Sequence, residues 1–425
     1  MKFIADFHLH SKYSRATSSQ MNIENLDKWA KLKGIKLIGT GDFTHPLWFK
    51  EIQEKLEPAE AGLFRLKFSE KGNPQEETRF ILTTEVSCIY TKNLKIRKIH
   101  IILFAPSFRE VEEINKVLSR IGNLKADGRP ILGLDAKELT KIVLGVSEDV
   151  FVVPAHLMTP WFSLFGSKSG FNSLEECFED YSKYIFAGET GLSANPSMLW
   201  RMPDGRRLAL ISNSDAHSPS HLGREANVFD TNLSYFDVID AIKSKNPQKF
   251  LYTIEFFPEE GKYHYDGHKA CKISFSPQDS KRYNNLCPRC GRPLTIGVLN
   301  RVEQLADQPI GFEPKEKIPF KSLVPLREII ADALGVTSSS KQVERYYFNL
   351  IKKIGNEFKV LLEASYKEIE EASLAEIAEG VVRAREGRVR VEPGYDGVYG
   401  KVRIFEEEKS QSFLNQNGLQ GTLFG

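Results

Sequence analysis

Two histidines separated by one residue close an apolar run at the start of the chain, His8 and His10 in DFHLHS. Side chains alternate along a strand, so the pair points to one side and two imidazoles can converge on an ion. Five further apolar runs deliver the same residue types: Asp42 after IKLIGTG, Glu85 in RFILTTE, His100 in RKIHIILF, His156 after VFVVPA, and Asp215 with His217 in LALISNSDAH. One buried histidine ordinarily finds a protein partner. A whole set at neighbouring strand ends is costly to bury unless cations hold it, and imidazole mixed with carboxylate suits Zn2+ or Mn2+ better than Mg2+. Adjacent cations bring the pKa of a bound water near neutrality and neutralise charge developing on a phosphate. Phosphoester hydrolysis is the expected reaction, with Glu85, Asp215 and His217 as the catalytic candidates. No serine or cysteine nucleophile is required, and no persuasive Ser-His-Asp arrangement is present.

A second constellation follows. His268-x2-Cys271, then fifteen residues, then Cys287-x2-Cys290 gives four ligands with zinc-knuckle spacing, and Pro288 and Gly291 supply the tight turn. Zn2+ takes such ligands tetrahedrally, and a set that fills all four positions is structural. Lys281, Arg282, Arg289 and Arg292, interleaved with Tyr283, surround it. Basic residues beside an aromatic suit a phosphate backbone and an unstacked base. Arg383, Arg385, Arg388 and Arg390 form the densest basic run, read either as phosphate contacts or as a helix end favoured by its dipole.

These residues need a frame. Up to about residue 240, strand-like runs alternate with amphipathic stretches such as NIENLDKWAKLKG, with Asn22 as N-cap and Gly34 as stop, and REVEEINKVLSRIG. That rhythm predicts a parallel α/β sheet or barrel, where catalytic groups collect at strand ends. Beyond about 301, PLREIIADALGV, SSKQVERYYFNLIKKIG, EFKVLLEASYKEIEEAS and LAEIAEGVVRAREG carry apolar residues every three or four positions, predicting a small helical domain. The chain of 425 residues is 41% hydrophobic and carries a net charge of +2, so any nucleic-acid argument rests on local basic clusters. Five cysteines, three of them clustered, point to metal rather than to a disulfide framework. With neither a signal-like N-terminus nor a membrane-length apolar run, the expected location is the cytoplasm, on the nucleoid, with no membrane partner.

The segments DFHLHS, GTGDF, TTEVS, KIHIILF, VPAH and NSDAH resemble, in order, the motifs of the polymerase-and-histidinol-phosphatase (PHP) superfamily. The resemblance implies an α/β fold with a distorted (β/α)7 barrel and a multinuclear metal centre. Carried over, His8, His10, Glu85 and Asp215 would hold one ion, and Glu85 would bridge to a second held by His100 and His156. Asp42 and His217 would complete or support a third site. The chain departs from the pattern where Phe43 follows Asp42 and where SKYSRATSS lacks a further histidine; His45 could substitute, but reads better as a surface loop residue.

Together with YHYDGHKAC, CPRC and EPGYDGVYGKVRIF, these motifs resemble the endonuclease Q family of archaeal DNA-repair nucleases over almost the whole chain. That resemblance implies cleavage of duplex DNA on the 5′ side of deaminated bases (uracil, hypoxanthine, xanthine) or at abasic sites. The rivals are a PHP-type small-molecule phosphatase and a non-catalytic damaged-DNA-binding protein. Glu189, Ser193 and Asn195 in GETGLSANPS are the candidates for a base pocket. The expected division is a phosphoesterase barrel over 1–245, a zinc-binding module over 246–300, a helical DNA-binding domain over 301–404 and a disordered tail over 405–425. Gln420, Leu423 and Phe424 in that tail resemble the start of a motif that binds the sliding clamp PCNA. Expected cofactors are structural Zn2+ and, at the active site, Zn2+ or else Mn2+ or Mg2+.

Overall fold

The computed structural model describes residues 1–67 and 77–405. The described residues form two compact units, one of 1–67, 77–321 and 393–400, the other of 322–392 and 401–405. The zinc-ligand segment falls inside the first unit.

The first unit is a mixed α/β structure. Strands β1 (Lys2–Asp6), β2 (Leu37–Gly39) and β3 (Arg79–Lys92) pair in parallel, with Ala5 opposite Leu37 and Gly39 opposite Ile81. Helix Ile23–Lys33 makes the first crossover: Asn22 accepts the N–H of Asn25, and Gly34 ends the helix at φ 90°, both as the sequence pattern requires. Strand β4 (Lys95–Ala105) then turns straight back along β3. The parallel rhythm breaks here because Asn93 and Leu94 both sit at positive φ, 53° and 59°, a two-residue hairpin turn that leaves no room for a helix. Strand β5 (Phe151–Pro154) pairs antiparallel with β4, and β6 (Ala187–Glu189) pairs in parallel with β7 (Ala209–Ile211). The Leu157 N–H donates to the Glu189 carbonyl at 2.9 Å, linking the ends of β5 and β6, and a parallel bridge between Leu9 and Ala216 links the ends of β1 and β7. Strands β8 (Ala226–Asp230) and β9 (Phe250–Glu255) extend the sheet antiparallel beyond β1.

Phe7, Leu37, Ile81, Ile102, Phe104, Val153, Ala187 and Ile211 pack between these strands in one buried cluster. Burying each large side chain contributes about 1.5–3 kcal/mol, enough to hold the strand ends that carry the polar residues in register. A short hairpin, Asp266–His268 with Ile273–Phe275, carries two of the zinc-type ligands, and Gly394 ties the returning 393–400 segment to Glu259 and Tyr265 through backbone hydrogen bonds.

The second unit is helical: Leu326–Leu334, Lys341–Ile354, Glu357–Leu362, Tyr366–Ala372 and Ala375–Arg385, with a small antiparallel pair Arg390–Glu392 and Lys401–Arg403. The stretch read from sequence as one helical run, EFKVLLEASYKEIEEAS, is two helices. Ser365 and Glu368 form a capping box that starts the second, and this local bonding outcompetes continuation of the first. No helix among the described residues is long and apolar enough to cross a membrane.

Candidate active site

Every chemistry-bearing residue read from the strand ends arrives in one region of the first unit. His8 and His10 follow β1, and their Nε2 atoms approach Oε2 of Glu85 at 3.6 and 3.3 Å and Oδ1 of Asp215 at 3.7 and 3.2 Å. The other Glu85 oxygen, Oε1, lies 2.8 Å from Nδ1 of His100 and 3.0 Å from Nε2 of His156. Glu85 thus turns one oxygen to each of two ligand sets. His10, Asp215 and His217 form a third group of possible ligands. Asp42, His156 and Asp215 hold their backbones at positive φ, 47°, 29° and 45°. Such conformations cost on the order of 1 kcal/mol each, and here they turn the residue after a strand sharply into the site.

The donor atoms fit a cation. Nε2 of His8, Nε2 of His10 and Oδ1 of Asp215 are buried without a hydrogen-bond partner, and all three face one another. Burial works against a charged imidazole, yet Glu189, Glu85 and Asp215 around His8, and Asp42, Asp215 and Glu85 around His10, hold both pKa values well above the histidine range. Protons kept there by surplus negative charge are what a divalent ion displaces. His100 shows the complementary behaviour: burial pushes it down to about 4, leaving the neutral ring that a ligand must be.

Asp42 is not among the ligand sets. Its Oδ1 lies 3.0 Å from Nδ1 of His10, and its Oδ2 accepts the Ser11 N–H at 2.6 Å and the hydroxyls of Ser11 and Ser14 at 2.7 and 2.8 Å. With its lone pairs committed, it orients His10 from behind. Gly128 makes this packing possible, since a Cβ there would stand 2.2 Å from Oδ2 of Asp42. Glu189, read as a base-pocket residue, is fully buried beneath His8: both its oxygens lie 3.0 Å from His8 Nδ1, and it also accepts the His156 N–H and the Asn213 amide at 2.9 Å each. Asn195 caps the helix Pro196–Leu199 by accepting the Met198 N–H, and Ser193 is half-buried beside it. His45, read as a surface loop residue, is buried under the ring of Tyr13 at 4.4 Å and precedes the helix Pro46–Lys55.

Sequence reading missed Arg129. Its Nη1 donates to Oε2 of Glu85 at 2.9 Å, and its side chain remains 28% exposed. The signal available was the turn DGRP, which places an arginine at a tight bend.

The second constellation also assembles. His268, Cys271, Cys287 and Cys290 offer ligand atoms that all lie within 4.8 Å of one another. Burial resists a thiolate at Cys287, but the N–H groups of Arg289 and Cys290 in the knuckle turn overcome it and bring its pKa to about 6. Lys281, Arg282, Arg289 and Arg292 are exposed around it, Arg282 within 3.3 Å of Asp279. The second basic run divides. Arg385 spends its guanidinium on the carbonyls of Val360, Leu361 and Ala364 at 2.9–3.0 Å, closing the end of helix Glu357–Leu362. Arg383 bonds Glu379 and the Ile404 carbonyl. Arg388 and Arg390 stay exposed, Arg388 against Glu386. Gln420, Leu423 and Phe424 lie outside the described residues.

A mixed α/β fold in which two His/carboxylate sets share one glutamate is the build of a metal-dependent phosphoesterase. Known proteins narrow the class. The structure matches the crystal structure of a lesion-specific endonuclease, PfuEndoQ from Pyrococcus furiosus, at a TM-score of 0.84 and 31% identity over 99% of this chain and 100% of that one. It matches endonuclease Q in complex with a 27-mer duplex bearing an abasic lesion at 0.83 and 32%, over 96% and 98% of the two chains. An uncharacterized Methanocaldococcus jannaschii protein, MJ0043, is 36% identical over 266 residues, which are 61% of this chain and 32% of that one, so the chain spans about a third of that relative. The family model described as the MJ0043 C-terminal domain matches residues 325–388. The chain belongs to the endonuclease Q family.

Proposed function

We propose that this protein is a metal-dependent endonuclease of base-damage repair that hydrolyses a phosphodiester of duplex DNA on the 5′ side of a deaminated base or at an abasic site. The observation that carries the reading is Glu85, whose two oxygens serve two ligand sets in a chain that aligns end to end with lesion-specific endonucleases. In this reading His8, His10, Glu85 and Asp215 hold one ion, and Glu85, His100 and His156 a second, with His217 at the edge of the first set. Ions bound there would supply the Lewis acidity that activates water and offsets charge on the phosphate. Zn2+ or Mn2+ suits the donors, and Zn2+ suits the four-ligand knuckle.

The chain's own residues do the rest. Asp42 and Glu189 fix the ring orientation of His10 and His8. His217 points Nδ1 at the Asp215 carbonyl, 2.9 Å away, which leaves Nε2 free as a ligand or a proton acceptor. Strands β1–β7 are proposed to close as the distorted (β/α)7 barrel, supported by the bonds joining β5 to β6 and β7 to β1. The zinc segment over 246–300, with Lys281, Arg289 and Arg292, and the helical domain over 301–404, with Arg388 and Arg390, are proposed to hold the duplex. Gln420, Leu423 and Phe424 are proposed to reach the sliding clamp.

The test is a labelled duplex carrying one deoxyuridine or one abasic site, with purified protein and a chelator control. Metal-dependent incision beside the lesion is expected, and Asp215→Ala should abolish it while leaving duplex binding intact. Hydrolysis of a small phosphomonoester without incision of either duplex would end the reading.

A further inference from the structure

The segment from Ser214 to Arg224 carries Asp215 and His217 into the site and then returns to its own starting point. Asp6, fully buried at the end of β1, ties its two ends together. Oδ1 of Asp6 accepts the Ser214 N–H and Oδ2 the Gly223 N–H, each at 3.0 Å. Between them the chain turns through the short helical turn Pro219–His221, and the Arg224 N–H closes on the His221 carbonyl at 3.2 Å. Gly223, at φ 70°, then delivers Arg224 against residues nine and ten positions earlier.

The Arg224 guanidinium spans two consecutive carbonyls. Its Nε donates to Ser214 at 2.8 Å and its Nη2 to Asp215 at 3.2 Å. A planar fork fits such a pair, and a charged donor binds an acceptor about twice as strongly as a neutral one. The residue between those peptide planes is Asp215, held at φ 45°. Strained backbone persists only where its surroundings over-determine it, and here the planes on both sides of the Asp215 Cα are pinned by one side chain. The Asp215 carbonyl also faces Nδ1 of His217 at 2.9 Å. A carbonyl only accepts, so this bond puts the His217 proton on Nδ1 and leaves the lone pair on Nε2.

We infer that Arg224 is the positioning residue of one of the two ligand sets: it holds the Asp215 turn that brings a carboxylate to His8 and His10, and it anchors the carbonyl that sets the tautomer of His217. The inference rests on the endonuclease reading only through its metal centre. Oδ1 of Asp215 lies 3.7 and 3.2 Å from Nε2 of His8 and His10, whereas Glu85 meets His100 and His156 through its other oxygen, on β3, β4 and the end of β5. Without the fork a positive-φ aspartate relaxes and its carboxylate leaves the imidazoles, while the His100 and His156 set keeps its own supports. An arginine that served packing alone would not separate the two sets.

That selectivity is measurable. Protein freed of its active-site ions is titrated with Mn2+, which a thiolate knuckle does not favour, and bound ions are counted by electron paramagnetic resonance for wild type, Arg224→Gln and Arg224→Lys. Arg224→Gln is expected to weaken one of the two ions about 10- to 100-fold and to leave the other at wild-type affinity. Incision of an abasic duplex should fall with the weakened ion at limiting Mn2+ and return at excess, at unchanged duplex affinity. Arg224→Lys keeps the charge without the fork and should recover only part of the loss. A single class of ion in wild type, both ions weakened alike, or neither weakened, overturns the inference. Reduced duplex affinity with both ions held normally also overturns it, making Arg224 a phosphate contact. Wild-type protein that binds both ions but cuts no lesion-bearing duplex ends the endonuclease reading and leaves the ion count to decide Arg224. If Arg224→Gln fails to fold, as melting would show, Arg224→Lys carries the comparison, with a loss confined to one ion expected and an unselective loss or none overturning the inference.

Discussion

The guanidinium of Arg129 lies 2.9 Å from Oε2 of Glu85, the same oxygen that faces Nε2 of His8 and of His10. A fixed positive charge thus sits on the carboxylate that the proposed ions would share. An ion held by Glu85 would repel the guanidinium, and a phosphate entering the site would offer it a bidentate partner.

Arg129→Ala is therefore expected to lower turnover on the order of 10²-fold, the usual cost of losing one charge-stabilising donor, with metal content unchanged. Arg129→Lys should recover only part, because an ammonium keeps the charge but loses the fork. Elemental analysis beside single-turnover incision decides it. A variant that loses metal and stability yet turns over normally once reloaded would make Arg129 a prop for Glu85 and nothing more.

Glu189 leads to a different expectation. Its carboxylate fixes His8 through Nδ1 and takes the backbone N–H of His156, so one buried residue positions members of both ligand sets. Glu189→Gln should weaken metal affinity about 10- to 100-fold, and excess metal should rescue activity. A base-pocket residue would behave otherwise, shifting the preference between lesions at unchanged metal affinity.

Legibility differed between the residues of this site. His8, His10, Glu85, His100, His156, Asp215 and His217 could be found because an ionisable group at the end of an apolar strand is expensive, and several together share one remedy. Asp42 and Glu189 carry the same signal, and sequence cannot say which way a carboxylate turns: one stands behind His10, the other beneath His8, each with its lone pairs spent. Arg129 belongs to no strand and reaches the site by tertiary packing of its turn; the pattern DGRP marks the bend but not what the bend packs against. Of the arginine run, density suggested phosphate contact, but Arg385 is consumed by the carbonyls of Val360, Leu361 and Ala364 where the helix Glu357–Leu362 ends. The antiparallel return of β4 was hidden for a related reason, since Leu94 at positive φ is not a residue that announces a turn.

The knuckle cysteines set a third expectation. Cys287→Ser with Cys290→Ser leaves two ligands and removes the closed tetrahedral set, and metal held in such a set contributes folding free energy. The double variant should carry less zinc than wild type and melt at least about 5 °C lower, with weaker duplex binding. An unchanged zinc content or melting temperature would remove the assignment.

The last expectation concerns pH. Glu225 and Glu255 are both fully buried and interact electrostatically with each other and with Glu189. Burial raises both: Glu255 to about 7, against the Thr253 hydroxyl that donates to it and pulls it down, and Glu225 well above the carboxylate range, with the charge of Glu255 adding to burial. A carboxyl whose folded pKa exceeds its unfolded value of 4.5 keeps its proton in the native state after the unfolded chain has lost it. Native protein then binds more protons than unfolded protein, so this contribution to stability is complete below the unfolded pKa and is lost as pH rises toward about 7. The slope approaches about 1.4 kcal/mol per pH unit for each proton retained. Because the two carboxyls titrate as a pair, one substitution should relieve both. Glu255→Gln removes the ionisable group and the like charge that raises Glu225, so its stability should decline less than that of wild type between pH 5 and 8, with the two converging at the acid end. Urea unfolding of both proteins across that range provides the comparison. Parallel stability curves would mean that the buried pair does not take up protons on folding, and that the buried acid cluster is ionised throughout.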